Sequence, residues 1–294
     1  MSDKIRSYRR ADLITRIAEV MPNLKVDRIR RITQGQNNDV LVVNNTWIFR
    51  FPRTATGAQS LIRETTVLQR LHGHLPIVTP HPEVHVPVDR HSEPFMVYRL
   101  IPGRPLTPPQ VARMSTVRLK TIANQLANIL DCLHSFALPQ EWLDILEIEP
   151  VNAWSEMFAR IQHHLFPLMR AEARNQVERN FIQFLDGSRS QTFPKALIHG
   201  DFGGSNILLA QDSPTVHAVI DWGGVAIGDP AVDYAAASTL DPNMMDLMSA
   251  SHPFIAPLLD RVAFYRSTFA LQEALFGAEH GDATALANGL RQYV

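Results

Sequence analysis

One cysteine, Cys132, stands in a chain of 294 residues. A disulfide needs two cysteines and a thiolate zinc site needs several, so a disulfide scaffold and a zinc finger are both excluded. Long apolar runs are missing as well. No uncharged stretch approaches the roughly 18 residues that mark a membrane-spanning helix. The first twenty residues scatter Lys4, Arg6, Arg9, Arg10 and Asp12 among apolar neighbours and hold no leader-like core. The expectation is a soluble protein in a reducing, cytoplasmic setting, with no membrane partner. Excess charge is also lacking, since 28 Lys and Arg face 29 Asp and Glu for a net charge of −1. That argues against a nucleic-acid partner held by overall positive charge.

Several catalytic signatures are missing too. The sequence has no G-x-G-x-x-G and no G-x-x-x-x-G-K-[ST], which leaves a dinucleotide fold and a Walker loop unsupported. It has no G-x-S-x-G elbow and no H-E-x-x-H. The neighbouring histidines (His72 and His74, His81 and His85, His163 and His164) lie in Pro-rich or helical surroundings and read as solvated side chains rather than metal ligands.

What is present is enough apolar material, 45% of residues, for a sizeable core. Val40–Val43, Asn44-Asn45 and Trp47–Phe51 read as a β-hairpin, because Asn tolerates the positive φ that a tight turn demands. Pro52 ends the second strand. A helix is predicted near Ala58–Leu71 and a strand over Phe95–Leu100, ahead of the turn Pro102-Gly103-Arg104-Pro105. Thr107 followed by Pro108 reads as a helix cap. Leu119, Ile122, Leu126, Ile129, Leu130 and Leu133 then mark a long buried helix. A helical stretch follows over about 152–185. Three short apolar runs come next, at 196–198, 207–209 and 216–220, and the chain is helical again from Met244. The pattern predicts an α+β, bilobal protein. Its N-terminal lobe, residues 1–98, is β-rich and its C-terminal lobe, 99–294, is mostly helical.

The chemistry concentrates in Ile198-His199-Gly200-Asp201-Phe202-Gly203-Gly204-Ser205-Asn206-Ile207 and in Ile220-Asp221-Trp222-Gly223. Asp201, Asn206 and Asp221 follow or open short strands that a hairpin would bring together. Magnesium prefers oxygen ligands, with one or two carboxylates beside substrate phosphates, and Asn206 with Asp221 supplies such a set. Asp201 is left to accept a proton from an attacking hydroxyl.

With Gly228-Asp229-Pro230-Ala231-Val232-Asp233, these segments resemble the core motifs of the aminoglycoside phosphotransferases, which share the protein-kinase-like fold. The resemblance extends through Gly35-Gln36-Asn37-Asn38-Asp39, Trp47–Pro52 and Gly103–Pro108, covering most of residues 30–290. It is nearest to the 2''-phosphotransferase subgroup, with macrolide phosphotransferases second. It implies transfer of the γ-phosphoryl of ATP or GTP, with Mg²⁺, to a hydroxyl of a small molecule.

A kinase pairs a strand cation with a helix Glu near the nucleotide phosphates. Alternation along Trp47–Phe51 puts Ile48 and Arg50 on one face, so Arg50 is the candidate phosphate contact and Glu64 its partner. Gly35 is the one glycine of a weak phosphate loop. The resemblance assigns backbone contacts to the purine edge around Arg99 and Ile101. His199 is read as supporting the loop behind Asp201 rather than moving protons. Asp229 and Asp233, at a helix start, suit capping as well as chemistry.

Only seven residues separate Asp221 from Asp229 and no A-P-E follows, which leaves no activation segment to lay out a peptide. The acceptor is therefore expected to be a small molecule and the protein a monomer. Residues 233–294 carry 3 basic and 7 acidic side chains, an excess of −4 that suits a cationic antibiotic, first of all an aminoglycoside. Glu273 and Glu279 are the candidate contacts, with Asp241 and Asp246 beside them. A macrolide phosphotransferase, a metabolic kinase for a sugar or amino alcohol, and a nucleotide-binding regulator without transfer activity are the alternatives.

Overall fold

The computed structural model describes residues 8–32, 38–85, 94–148, 150, 152–187, 193–213 and 215–294. The chain opens with helix α1 (Arg10–Val20), which the sequence reading did not anticipate, because its apolar positions are few and interrupted by charge. Strands β1 (Ile29–Ile32), β2 (Asn38–Val43) and β3 (Trp47–Pro52) follow. The predicted hairpin joins β2 to β3, with Val43 opposite Trp47. Asn44 and Asn45 turn the corner at φ of 54° and 51°. Helix α2 (Ala55–Leu71) starts one turn earlier than the apolar pattern indicates, because the Thr54 hydroxyl accepts the Gly57 N–H at 3.0 Å and caps the helix there. Strands β4 (Glu83–His85) and β5 (Phe95–Arg99) complete an antiparallel five-stranded sheet in the order β1-β2-β3-β5-β4.

After β6 (Arg104–Pro105) the chain turns helical. Thr107 caps α3 (Pro108–Val111) through a reciprocal pair with Gln110. The long helix appears as α4 (Thr116–His134), and α5 (Trp142–Ile145) is one turn. The single stretch expected over 152–185 is two helices, α6 (Ala153–His164) and α7 (Ala171–Asp186). Between them Phe166–Leu168 tightens into a 3₁₀ turn at Pro167, which has no N–H to continue an α-helix. Four short strands come next: β7 (Ala196–Ile198), β8 (Ile207–Leu209), β9 (Val216–Val219) and β10 (Ala226–Gly228). Helices α8 (Ala231–Ala237), α9 (Met244–Ser251), α10 (Leu259–His280) and α11 (Ala283–Leu290) end the chain.

By its internal contacts the chain forms two units. One comprises Met1–Pro105 with Asn206–Gly224, the other Leu106–Ser205 with Val225–Val294. The β8–β9 hairpin, which pairs with β6, belongs to the first of these units. The core of the first unit gathers Leu13 and Ile17 of α1 against Leu41, Val43, Phe49, Phe51, Phe95 and Val97 of the sheet. Burying such side chains stabilises by about 1.5–3 kcal/mol each. The other face of β3, carrying Ile48 and Arg50, is buried too. The core of the second unit includes Leu126, Leu130 and Leu133 of α4, Phe181 of α7, Tyr234 of α8 and Leu271 of α10.

Candidate active site

In the first unit β3 and α2 each commit one charged side chain to the interior. Arg50 retains 7% of its surface and Glu64 2%. They meet at 2.6 Å between Nη1 and Oε1, and Arg50 Nη2 lies 3.4 Å from Asp221 Oδ1. A charge so buried is costly unless paired, and breaking such a pair costs about 3–5 kcal/mol. Burial works against the Arg50 charge, but Glu64, Tyr98 and Asp221 together hold it above the ordinary guanidinium range. Burial also pushes the Glu64 carboxyl up, against the pull of Arg50. The Tyr98 phenol is raised to about 12 by the same burial.

The hairpin of β8 and β9 carries Asn206 and Asp221, the two side chains expected as oxygen ligands. Ile207 is opposite Val219, and the Ile220 N–H donates to the Asn206 carbonyl at 2.9 Å. Asn206 and Asp221 therefore stand at the same end of one hairpin. Asn206 is buried, whereas the Asp221 side chain is 58% exposed. Asp221 holds φ at 60°, a left-handed backbone costing about 1 kcal/mol or more for a residue with a Cβ. Among the described residues no group of three or more His, Cys, Asp or Glu side chains could hold a metal unaided. One outward carboxylate beside an amide oxygen fits a magnesium ion that takes its other ligands from phosphates and water.

In the second unit the loop bearing Asp201 is fastened from behind. The Asp233 carboxylate, fully buried, accepts the His199 N–H and the Gly200 N–H at 2.9 Å each. It also sits 3.0 Å from His134 Nε2. Gly200 takes φ of 80°, which glycine adopts without strain. The Asp201 N–H donates to His199 Nδ1 at 3.2 Å, so that nitrogen is an acceptor. The Asp201 side chain is exposed. A Cβ on Gly204 would lie 2.1 Å from the Leu106 carbonyl, so the loop's far end closes only with glycine there.

The arrangement corrects one expectation. β7, which leads into His199, pairs with β10 and not with β8, so no single hairpin presents Asp201 together with Asn206 and Asp221. Gly35 lies outside the described residues. The Arg99 guanidinium stacks on the Trp47 ring at 3.9 Å, and the Leu100 N–H is taken by the Thr46 carbonyl at 2.8 Å. Ile101 is half-buried. Glu273 is exposed on α10. Glu279 is held by Arg160 through bonds of 2.7 and 2.5 Å, so its charge is already matched. Asp241 caps its own turn by accepting the Asn243 N–H. The sequence left Asp229 and Asp233 open between capping and chemistry and did not single out His134. Asp229 caps α8 and binds Arg261 at 2.7 Å and the Tyr265 hydroxyl at 2.9 Å. The signal for both aspartates was their spacing, since a helix-starting Asp-Pro-x-x-Asp puts two carboxylates at the first turn of α8.

Three kinds of comparison agree with this architecture. A family model described as APH, phosphotransferase enzyme family, matches residues 28–267. Viomycin phosphotransferase of Streptomyces vinaceus is 33% identical over 273 residues, which span 89% of this chain and 91% of that protein. A solved GDP and kanamycin complex of an APH(2") enzyme superposes with a TM-score of 0.88 at 22% identity, covering 96% of this chain and 97% of that one. A macrolide 2'-phosphotransferase type I structure gives 0.70 at 19% identity over 99% of both chains.

Proposed function

The chain belongs to the phosphotransferase enzyme family, and from that premise we propose that it moves the γ-phosphoryl of ATP or GTP to a hydroxyl of a small cationic antibiotic. The observation that carries the reading is the buried Arg50–Glu64 pair reaching to Asp221. A fold has no structural need to bury a charged pair beside an exposed, conformationally strained carboxylate.

Arg50, fixed by Glu64, steadies the α- and β-phosphates through its planar fork. Gly35 and the backbone at Arg99 and Ile101 contact the rest of the nucleotide. Asn206 and Asp221 hold Mg²⁺, which when bound neutralises charge on the phosphates. Asp201 orients the acceptor hydroxyl and takes its proton as the phosphoryl group arrives. Phosphoryl transfer asks mainly for placement and charge neutralisation, so few groups suffice. On the acceptor side the acidic excess after residue 233 suits a cation, and Glu273 is the carboxylate offered to it.

The relative at 33% identity makes viomycin the first acceptor to try, ahead of kanamycin-type aminoglycosides. The test is nucleoside-diphosphate release with ATP and with GTP, against viomycin, kanamycin, a macrolide and simple amino alcohols. Turnover with a cationic antibiotic is expected. Turnover confined to the macrolide or to amino alcohols would reassign the acceptor, and none with any acceptor would overturn the reading.

A further inference from the structure

The exposed carboxylate of Asp221 sits on a left-handed backbone, φ 60°, that is less favourable than the right-handed one for a residue with a Cβ, and the residues around it show what holds it there. On its N-terminal side the Ile220 N–H is fastened to the Asn206 carbonyl at 2.9 Å. On its C-terminal side the main-chain N–H of Trp222 donates to the Glu64 carboxylate. The Trp222 side chain is 1% exposed. Its indole N–H reaches back over Asp221 to the Val219 carbonyl at 3.1 Å. Asp221 is thus spanned by a bond from the residue after it to a strand residue before it. Gly223 follows with its Cα turned to the charged groups. A Cβ there would lie 3.6 Å from Arg50 Nη2, 3.7 Å from Asp221 Oδ1 and 3.8 Å from Glu64 Oε2, in contact with all three and without clash.

We infer that Trp222 is a positioning residue for magnesium. Its indole N–H closes a tether over Asp221 that keeps the left-handed backbone, and so the outward carboxylate, in place before any ion or nucleotide arrives. A phenyl ring could fill the apolar site but could not make the bond. Loss of the tether lets Asp221 relax to an ordinary backbone and turns its oxygens away, while Arg50 and Glu64 keep the phosphate contact. The inference rests on the reading of Asp221 as a metal ligand.

The test uses the full chain and a non-hydrolysable nucleoside triphosphate, with affinity measured by calorimetry in chelator and in excess Mg²⁺. In Trp222→Phe the gain in affinity from magnesium is expected to shrink by about 3- to 10-fold, the worth of one buried hydrogen bond. The metal-free affinity should stay as in wild type. Trp142→Phe, at another fully buried tryptophan, should keep the whole magnesium gain whatever it does to stability. If Trp222→Phe does not fold, benzothienylalanine placed at 222 keeps the shape of the indole and removes only its N–H. An unchanged magnesium gain in these variants overturns the inference, as does an equal fall of the metal-free affinity. A wild-type protein with no magnesium gain at all overturns the ligand assignment of Asp221 itself, and this inference with it.

Discussion

Asp201 and Glu64 are both carboxylates, and their surroundings ask different things of them. Asp201 is exposed on a glycine-bounded loop, whereas Glu64 is buried. Substituting Asp201 by Ala is expected to lower kcat by about 10²–10⁴-fold, the usual worth of a general base. Nucleotide affinity should be retained, because Arg50, Glu64 and Asp221 are untouched. Unchanged turnover in that variant would remove the base assignment. Glu64 works in the interior, where its ionised form alone can pair with Arg50. Burial raises its pKa, so the sign is fixed: as pH falls, Glu64 takes up its proton at a higher pH than an unperturbed glutamate, about 4.3. Arg50 then loses its partner and the nucleotide KM rises. The acid limb of the kcat/KM profile should therefore be shallower in Glu64→Gln, which has lost the titration and starts from a weakened nucleotide site. A variant profile with the wild-type limb would show that another group controls it.

At the scale of elements, α8 does more for the catalytic loop than its seven residues suggest. Its Asp233 satisfies two main-chain donors of the loop and faces His134 at the end of α4. In Asp233→Ala those buried N–H groups lose their acceptor, at a cost of about 2–4 kcal/mol. Thermal denaturation should show the loss as a lower midpoint. Steady-state kinetics should show kcat falling more than the nucleotide KM changes, since the proposed phosphate contact, Arg50, belongs to the first unit. A midpoint and a kcat both like wild type would contradict this role. Capping residues explain why some element ends were legible and others not. Thr107-Pro108 and Asn44-Asn45 carry their geometry in their own side chains, so they could be read. Helix α1 forms because Leu13 and Ile17 find Phe49, Phe51 and Phe95 far along the chain, and no local pattern records that.

For the whole molecule, the magnesium proposed above serves catalysis and not folding, since each unit has its own buried apolar side chains. A chelator should abolish phosphoryl transfer and leave the unfolding temperature of the nucleotide-free protein unchanged within about 1 °C, which differential scanning fluorimetry can check. A large drop in that temperature would mean a structural ion instead. No described helix is long and apolar enough to cross a membrane. The α+β fold class, the β2–β3 hairpin and the meeting of Arg50 with Glu64 could be read from the chain, because period-two alternation, turn residues and motif spacing are local properties. The partner of β7, the anchoring of the loop by Asp233, the matched charge of Glu279 and the left-handed backbone of Asp221 could not. Each of these depends on which distant donor or acceptor a group meets once water is excluded, and only the folded chain decides that.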